Sequence, residues 1–170
     1  MEMLKPQDVV VLLHLAQNLD DKERTFPKIA AALGISASEA HAAVRRATAS
    51  GLIDPATRRV RKAALLEFLI HGLRYVFPAE WRGLSRGVPT SFAAPPLSSH
   101  FAHADLPPVW PHAHGSVRGE GLVPLYPSVP DVALRSPQLH EWLALVDAIR
   151  AGRARERHLA QTELERRLGS

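Results

Sequence analysis

The segment that most constrains this fold is residues 25–51, TFPKIAAALGISASEAHAAVRRATASG, whose pattern predicts two short helices separated by a tight turn. Thr25 is a suitable N-cap for the first helix, and Pro27 falls in its first turn, where a missing N–H group is tolerated. Gly34 follows the apolar stripe of this helix at the position where helices often end in a left-handed conformation. The first helix is therefore expected to end at Leu33.

The second helix of this segment begins at a capping box. The Ser36 hydroxyl can accept the N–H of Glu39, and the Glu39 carboxylate can accept the N–H of Ser36. The helix is then expected over residues 37–50, with Gly51 ending it. Because only a turn fits between the two helices, the layout is that of a helix-turn-helix, in which one helix supports another that lies in a DNA groove.

The second helix has one side suited to a protein core and one suited to DNA. At about 100° per residue, the core side carries Ala40, Ala43, Val44 and Ala47. The opposite side mixes small residues with hydrogen-bonding and cationic residues, and arginine can bind guanine or phosphate. The DNA contacts predicted for this helix are Ser36, Ser38, His41, Ala42, Arg45 and Arg46. The alternative is a solvated helix with two ordinary surface arginines.

A basic hairpin, or wing, is predicted directly after this helix, over residues 52–61. Two short apolar stretches, at 52–53 and at Val60, flank Asp54 and Pro55, which suit the first two positions of a turn. Arginines of the wing would reach phosphates or the adjacent minor groove. They are Arg58, Arg59 and Arg61.

The positive charge of the chain is concentrated around this helix and wing. Residues 39–74 hold seven basic side chains against three acidic ones, a surplus equal to the net charge of the whole chain, +4. The chain has no cysteine, which excludes disulfides and thiolate-bound zinc and is compatible with the cytoplasm. No apolar stretch approaches the roughly 20 residues needed to span a bilayer, and the start MEMLKPQDVV lacks the pattern of a signal peptide. We therefore expect a cytoplasmic protein without a membrane contact.

Residues 5–75 combine a predicted first helix over residues 6–18 with two further blocks, FPKIAAALGISASEAHAAVRRATASGLID and RRVRKAALLEFLIHGLRYVFP. In this combination the segment resembles bacterial winged helix-turn-helix transcriptional regulators of the broad MarR/ArsR type. The resemblance implies that residues 37–50 form the recognition helix and residues 52–61 the wing of a DNA-binding repressor. The wing is shorter than in the commonest members, and the long Pro-rich second half also departs from them. With its PLYPS and DAIRAGRARERHLA stretches, that half resembles regulators from bacterial toxin–antitoxin or defence operons.

Two later helices are candidates for subunit contacts. The helix predicted over residues 61–76 is apolar around most of its circumference and must be covered on more than one side. A C-terminal helix is predicted to start at Ser136 and Pro137. Because regulators of this kind usually read two half-sites by two-fold symmetry, we predict a homodimer, with intramolecular packing of the two helices as the alternative. The expected interface residues are Leu65, Leu69, Trp142, Leu143 and Val146.

Residues 77–136 form a Pro-rich arm between these helices, with ten of the chain's 14 prolines. Because prolines disfavour regular helix, we predict an irregular arm with short strands near residues 109–112 and 122–126. Four histidines of the arm have spacings that metal sites use. They are His100, His103, His112 and His114. Histidines in polar loops are mostly surface residues and no cysteine or carboxylate set completes a site, so we predict neither a metal nor another cofactor.

Two enzyme-like patterns are too weak to indicate catalysis. Arg153 and His158 match the R-x4-H pattern of a family of helical ribonucleases, but such a pair is common by chance. Ser98, Ser99 and His100 are adjacent, but no nucleophile elbow or acidic partner accompanies them. We therefore expect that the protein is not an enzyme.

The sequence as a whole predicts a mainly α protein in three parts. Residues 1–76 would form a winged helix-turn-helix domain, residues 77–136 the irregular arm, and residues 137–170 a C-terminal helical segment. The predicted function is that of a sequence-specific regulator, a dimeric repressor that binds double-stranded DNA. The alternative is a winged-helix module that binds a partner protein, such as a toxin, instead of DNA.

Overall fold

The structure, a computed structural model, describes residues 2–169 as a mixed α/β fold. Its α-helices are α1 Pro6–Leu15, α2 Phe26–Leu33, α3 Ala37–Ala49, α4 Lys62–His71, α5 Leu73–Val76, α6 Val129–Arg135, α7 Pro137–Ala151 and α8 Ala154–Leu168. Its strands are β1 Trp81–Pro89, β2 Pro108–Pro111 and β3 Val117–Leu122, and short 3-10 turns lie at Asp21–Arg24, Ser91–Ala93 and Leu97–His100. The prediction of helices is confirmed at both ends of the chain, but the prediction of an irregular arm over residues 77–136 is wrong, because this segment contains a sheet and the helix α6.

The two helices and the tight turn predicted for residues 25–51 are present as α2 and α3. Gly34 has a φ of 64° and ends α2 in the left-handed conformation. The Ser36 hydroxyl accepts the N–H of Glu39 at 3.0 Å, and the Glu39 carboxylate accepts the N–H of Ser36 at 2.7 Å. Thr25 occupies the N-cap position of α2, but its side chain does not cap that helix. The local sequence therefore sets the start of α3 and the end of α2.

The first helix is shorter than the predicted 6–18, because α1 ends at Leu15. Arg24 folds back over this end and donates to the main-chain oxygens of Leu15, Gln17 and Leu19 at 3.2, 3.4 and 3.4 Å. The guanidinium thus supplies donors to carbonyls at and just beyond the end of the helix, where no further helical N–H groups follow.

Where the wing was predicted, the structure contains a minimal hairpin, in which a single antiparallel bridge joins Ile53 to Val60. Its turn is organised by Asp54, whose carboxylate accepts the N–H groups of Ala56 at 2.8 Å and Thr57 at 3.0 Å. These bonds hold the pKa of the Asp54 carboxyl below its usual range. The short turn between the bridged residues leaves little length for a longer ladder.

The arm folds into a small three-stranded sheet that closes on itself. Strand β1 pairs antiparallel with both β2 and β3, and β2 pairs parallel with β3. Closure requires very close backbone approach, and glycine permits it: a Cβ at Gly87 would overlap the Trp110 carbonyl, and one at Gly119 would overlap the Pro107 carbonyl.

The sheet corrects the predictions for the arm. The strand expected near residues 109–112 is confirmed as β2, Pro108–Pro111. The strand expected at 122–126 is wrong, because β3 occupies Val117–Leu122 and ends where that prediction begins. The longest strand, β1, was not predicted at all.

The core lies around two helices, α1 and α7, that are buried on nearly all sides. Helix α7 packs mainly against α6 and α8 and less extensively against α1, α4 and α5. Helices α4 and α5 result from a break of the predicted 61–76 helix at Gly72. The five predicted interface residues, Leu65, Leu69, Trp142, Leu143 and Val146, all lie inside this core. Their assignment to a dimer interface is therefore wrong, and the intramolecular packing named as the alternative is what the structure contains. No helix within residues 2–169 is long and apolar enough to cross a bilayer.

Candidate nucleic-acid interface

The outer face of α3 carries most of the predicted DNA contacts. Ser36 and Ser38 are exposed at the start of the helix, and His41 and Arg45 are exposed one and two turns later. Ala42 is half-buried between them, and its small side chain lets a partner approach the helix backbone. Five of the six contacts predicted for this helix therefore lie on an accessible face.

The sixth predicted contact, Arg46, is wrong, because its side chain is only 5% exposed. It donates from Nε and Nη2 to the two carboxylate oxygens of Asp8, both at 2.8 Å, and these bonds raise the pKa of the guanidinium. Asp8 is fully buried and also accepts the N–H of Lys5 at 2.8 Å at the start of α1. Arg46 therefore joins α3 to α1 and cannot reach DNA.

A groove with a volume of about 930 Å³, which we call the α3 groove, lies between α3, the start of α2 and the loop at residues 54–59. Arg45, Arg58 and Arg59 line it. His41 also lines it and packs edge-on against Phe26, with ring centroids 4.9 Å apart. The groove thus gathers residues from both predicted DNA-contacting segments.

Two of the groove arginines are held by exposed carboxylates. Arg45 donates to Glu2 at 2.9 Å, and Arg59 donates to Asp21 at 2.8 Å. The Arg45 guanidinium holds the pKa of the Glu2 carboxyl below its usual range. Because exposed ion pairs are weak, an incoming anion can replace either carboxylate.

Of the other two arginines of the groove, Arg24 binds the end of α1, and Arg58 is exposed and makes no ion pair in the described part of the chain. Its φ of 58° lies in the left-handed region, which side-chain-bearing residues other than asparagine and aspartate seldom adopt. Backbone of this kind costs on the order of 1–3 kcal/mol and is found preferentially at functional sites. The remaining predicted wing contact, Arg61, lies outside the groove lining and 3.5 Å from Asp54.

The start of α3 is supported from the second half of the chain. The Tyr126 hydroxyl donates to Glu39 at 3.1 Å, and Arg135 donates to the carbonyl of Ala32 at 3.2 Å. Burial and the Glu39 carboxylate raise the pKa of Tyr126, and the capping bonds lower the pKa of Glu39. The turn between α2 and α3 is therefore held in place by residues that sequence analysis did not identify.

The four arm histidines are not brought together. His112 is bound to Asp131 at 2.7 Å, and its ring lies 5.7 Å from that of His114. The carbonyl of His100 accepts a hydrogen bond from Arg155 on α8. Within residues 2–169 no cluster of three histidine, cysteine or acidic side chains has a geometry suited to a metal ion.

Comparisons of the chain with protein-family models, with curated proteins and with solved structures find no match. The functional assignment therefore rests on the residues of the chain and their arrangement.

Proposed function

We propose that this protein binds duplex DNA through the α3 groove and acts as a dimeric transcriptional repressor in the bacterial cytoplasm. The observation that carries the proposal is the convergence of Arg45, Arg58 and Arg59 on one concave surface beside the exposed face of α3. Arginine is the side chain that most often binds both guanine edges and phosphates.

Helix α3 has the length and surface to enter a major groove. Its 13 residues span about 20 Å in length. An α-helix with its side chains is about 10–12 Å in diameter and fits the major groove, which is about 12 Å wide. Ser38, His41 and Arg45 follow one another at spacings of three and four residues, so they share one stripe. In the proposal this stripe reads base edges.

The loop at residues 54–59 supplies the backbone contact of the proposal, as a short wing. Arg58 and Arg59 are exposed at its end, across the groove from α3. Phosphate contacts of this kind fix the register of a protein on DNA and carry most of the salt dependence of binding.

A second candidate function, binding of a partner protein, is favoured by the apolar floor of the same groove. Phe26, Pro27, Ile29 and Val44 line it beside the arginines. An acidic partner segment with one apolar anchor, such as one from a toxin, would match both features.

The salt dependence of duplex binding separates these candidates. Fluorescence anisotropy with a random-sequence duplex, between roughly 50 and 200 mM salt, should give a steep loss of affinity. Arg58→Ala and Arg59→Ala should each weaken binding to every duplex and lower the slope of log K against log salt by about one.

Arg166→Ala is the matched control, because Arg166 is also an exposed arginine in an ion pair, with Glu163, but lies on α8. It should leave affinity and slope unchanged. Duplex binding that is undetectable, or equal in all three variants, would contradict the proposal and favour the partner protein.

A further inference from the structure

The outer face of the sheet presents two arginines side by side. Arg86 on β1 and Arg118 on β3 are directly opposite each other in the antiparallel register, and both are exposed. Opposite residues of such a pair project from the same face with Cβ atoms roughly 5 Å apart, and like charges there destabilise the pairing. An anion that shares the two charges would relieve this repulsion.

No carboxylate of the described chain supplies that anion. Within residues 2–169 neither arginine forms an ion pair. Of the acidic residues near the pair, Glu120 stands opposite Leu84, Glu80 binds Arg82 at 3.2 Å, and Asp131 binds His112. Arg86 donates only to the carbonyl of Gly115, at 3.4 Å. Two guanidinium groups of one face are therefore left to bind an external anion.

The arginine pair is connected to the α2–α3 turn through α6. At one end of α6, Arg135 donates to the carbonyl of Ala32 just before the turn. Near its other end, Asp131 binds His112 at 2.7 Å, and the N–H of His112 donates to the carbonyl of Arg86 at 3.0 Å.

These contacts limit the distance between the arginine pair and the turn that precedes α3. Helix α6 has seven residues and spans roughly 10 Å. With one side-chain contact added at each end, the path of contacts from the arginine pair to the turn that precedes α3 is on the order of 20 Å long. One strand of duplex DNA covers this distance in about six base pairs.

We propose that Arg86 and Arg118 form a second phosphate-binding point for DNA, which extends the contact of the α3 groove along the duplex backbone. The ligand is the phosphodiester group, because paired guanidinium groups offer several donors to its oxygens and delocalised charge to its anion. The identity of the ligand as DNA rests on the proposed function, whereas the anion site itself rests on the cross-strand pair.

Duplexes of two lengths test the extension. Anisotropy titrations would use duplexes of about 10 and about 30 base pairs with a common central sequence, roughly one and three helical turns. Arg86→Ala and Arg118→Ala should each weaken binding to the long duplex several-fold and lower its salt slope by about one. Binding to the short duplex should change little. Arg118→Lys should retain the slope, and Arg166→Ala should change neither duplex.

Unchanged affinity and slope of both variants on the long duplex would overturn this inference. If Arg86→Ala fails to fold through loss of its Gly115 bond, Arg118→Ala still decides, with near-ultraviolet circular dichroism as the check of folding.

The inference and the proposed function can fail separately. Loss of binding in Arg45→Ala, Arg58→Ala and Arg59→Ala without an effect of the sheet variants would refute the second site alone. The reverse pattern would leave the sheet as a phosphate-binding face and refute the role of the α3 groove.

Discussion

Two adjacent arginines of α3 have opposite environments, and this difference could not be derived from the sequence. Both follow the predicted outer face of the helix, but only Arg45 is exposed. Arg46 is drawn inward by Asp8, which lies 38 residues earlier on a different helix. Helical periodicity gives the direction of a side chain about the helix axis. Whether that side chain is buried depends on which other helix packs against that side. Ser38, His41 and Arg45 were correctly predicted to be exposed, because no buried carboxylate of the described chain binds them.

Replacing Arg46 by methionine should destabilise the fold strongly, because the buried Asp8 carboxylate would lose its partner. Breaking a buried ion pair from one side typically costs about 3–5 kcal/mol. Urea unfolding followed by circular dichroism measures this loss. Arg45→Met, at the exposed neighbouring position, should change the free energy of unfolding very little.

The double variant Asp8→Leu with Arg46→Met distinguishes an ion-pair effect from simple loss of volume. Well-packed apolar side chains often replace a buried pair without loss of stability, so the double variant should recover most of what Arg46→Met loses. The recovery should be incomplete, because Asp8→Leu also removes the acceptor of the Lys5 N–H. An Arg46→Met variant as stable as Arg45→Met would contradict the assignment of Arg46 to the core.

The helices of residues 25–51 were predictable from local signals, but of the three strands of the arm only β2 was predicted. Capping residues and glycine stops specify α2 and α3 within their own sequence, and so they appear where expected. Strand β1, WRGLSRGVP, has glycines within it and a proline at its end, which ordinarily argue against a strand. Gly87 is required because the sheet closes so tightly that the neighbouring Trp110 carbonyl leaves no space for a Cβ, whereas Gly83 has open space there and a φ of 84°. This requirement arises only once the three strands are assembled.

Gly119→Ala should therefore destabilise the protein, since its methyl group would meet the Pro107 carbonyl, which is backbone and cannot rotate away. Forced overpacking typically costs about 1–3 kcal/mol. Thermal unfolding of this variant should be compared with that of Ser116→Ala, an exposed position just before β3. An unchanged midpoint for Gly119→Ala would mean that the strands are not closed as described.

The capping carboxylate of α3 should make stability depend on pH in the acidic range. The pKa of Glu39 is lowered in the folded protein, chiefly by the N–H of Ser36, so its contribution is present above the unfolded pKa and is lost as pH falls through the folded pKa. The difference in melting temperature between the wild type and Glu39→Gln should be full above about pH 5 and should shrink below about pH 4.

Glu67→Gln, at an exposed position of α4, is the control for this pH series. Its difference from the wild type should stay small throughout. A Glu39→Gln difference that is constant from neutral to acidic pH would show that the carboxylate does not cap α3 in solution.

At the scale of the whole molecule, α7 was predicted to contact either a second subunit or the helix at residues 61–76, but the elements that cover most of it were not predicted. An apolar helix needs a partner surface, and its sequence does not say whether that surface belongs to the same chain or to another copy. Here α8, α6 and α1 cover it within one chain. The dimer of the proposed function must therefore use a different surface, and the apolar side chains that are exposed at Tyr75 and Val76 are available for it.

Leu143→Ala should consequently act on the stability of each chain and leave association unchanged. Truncation of a buried leucine typically costs about 2–5 kcal/mol. Urea unfolding at two protein concentrations roughly tenfold apart should show the same loss at both, because no subunit contact is removed. A loss of stability that depends on protein concentration, or a folded variant that dissociates into monomers, would show that Leu143 lies in a subunit interface.

The central claim, that α3 reads DNA through its exposed face, is tested most directly by the base preference of Arg45→Ala. Anisotropy competition would compare a duplex from the protein's own promoter with a scrambled duplex of the same composition. The account predicts that the wild type prefers the promoter and that Arg45→Ala loses about 1–3 kcal/mol of this preference, whereas Arg166→Ala keeps it. An equal preference in the wild type and Arg45→Ala, or none in the wild type, would contradict the claim.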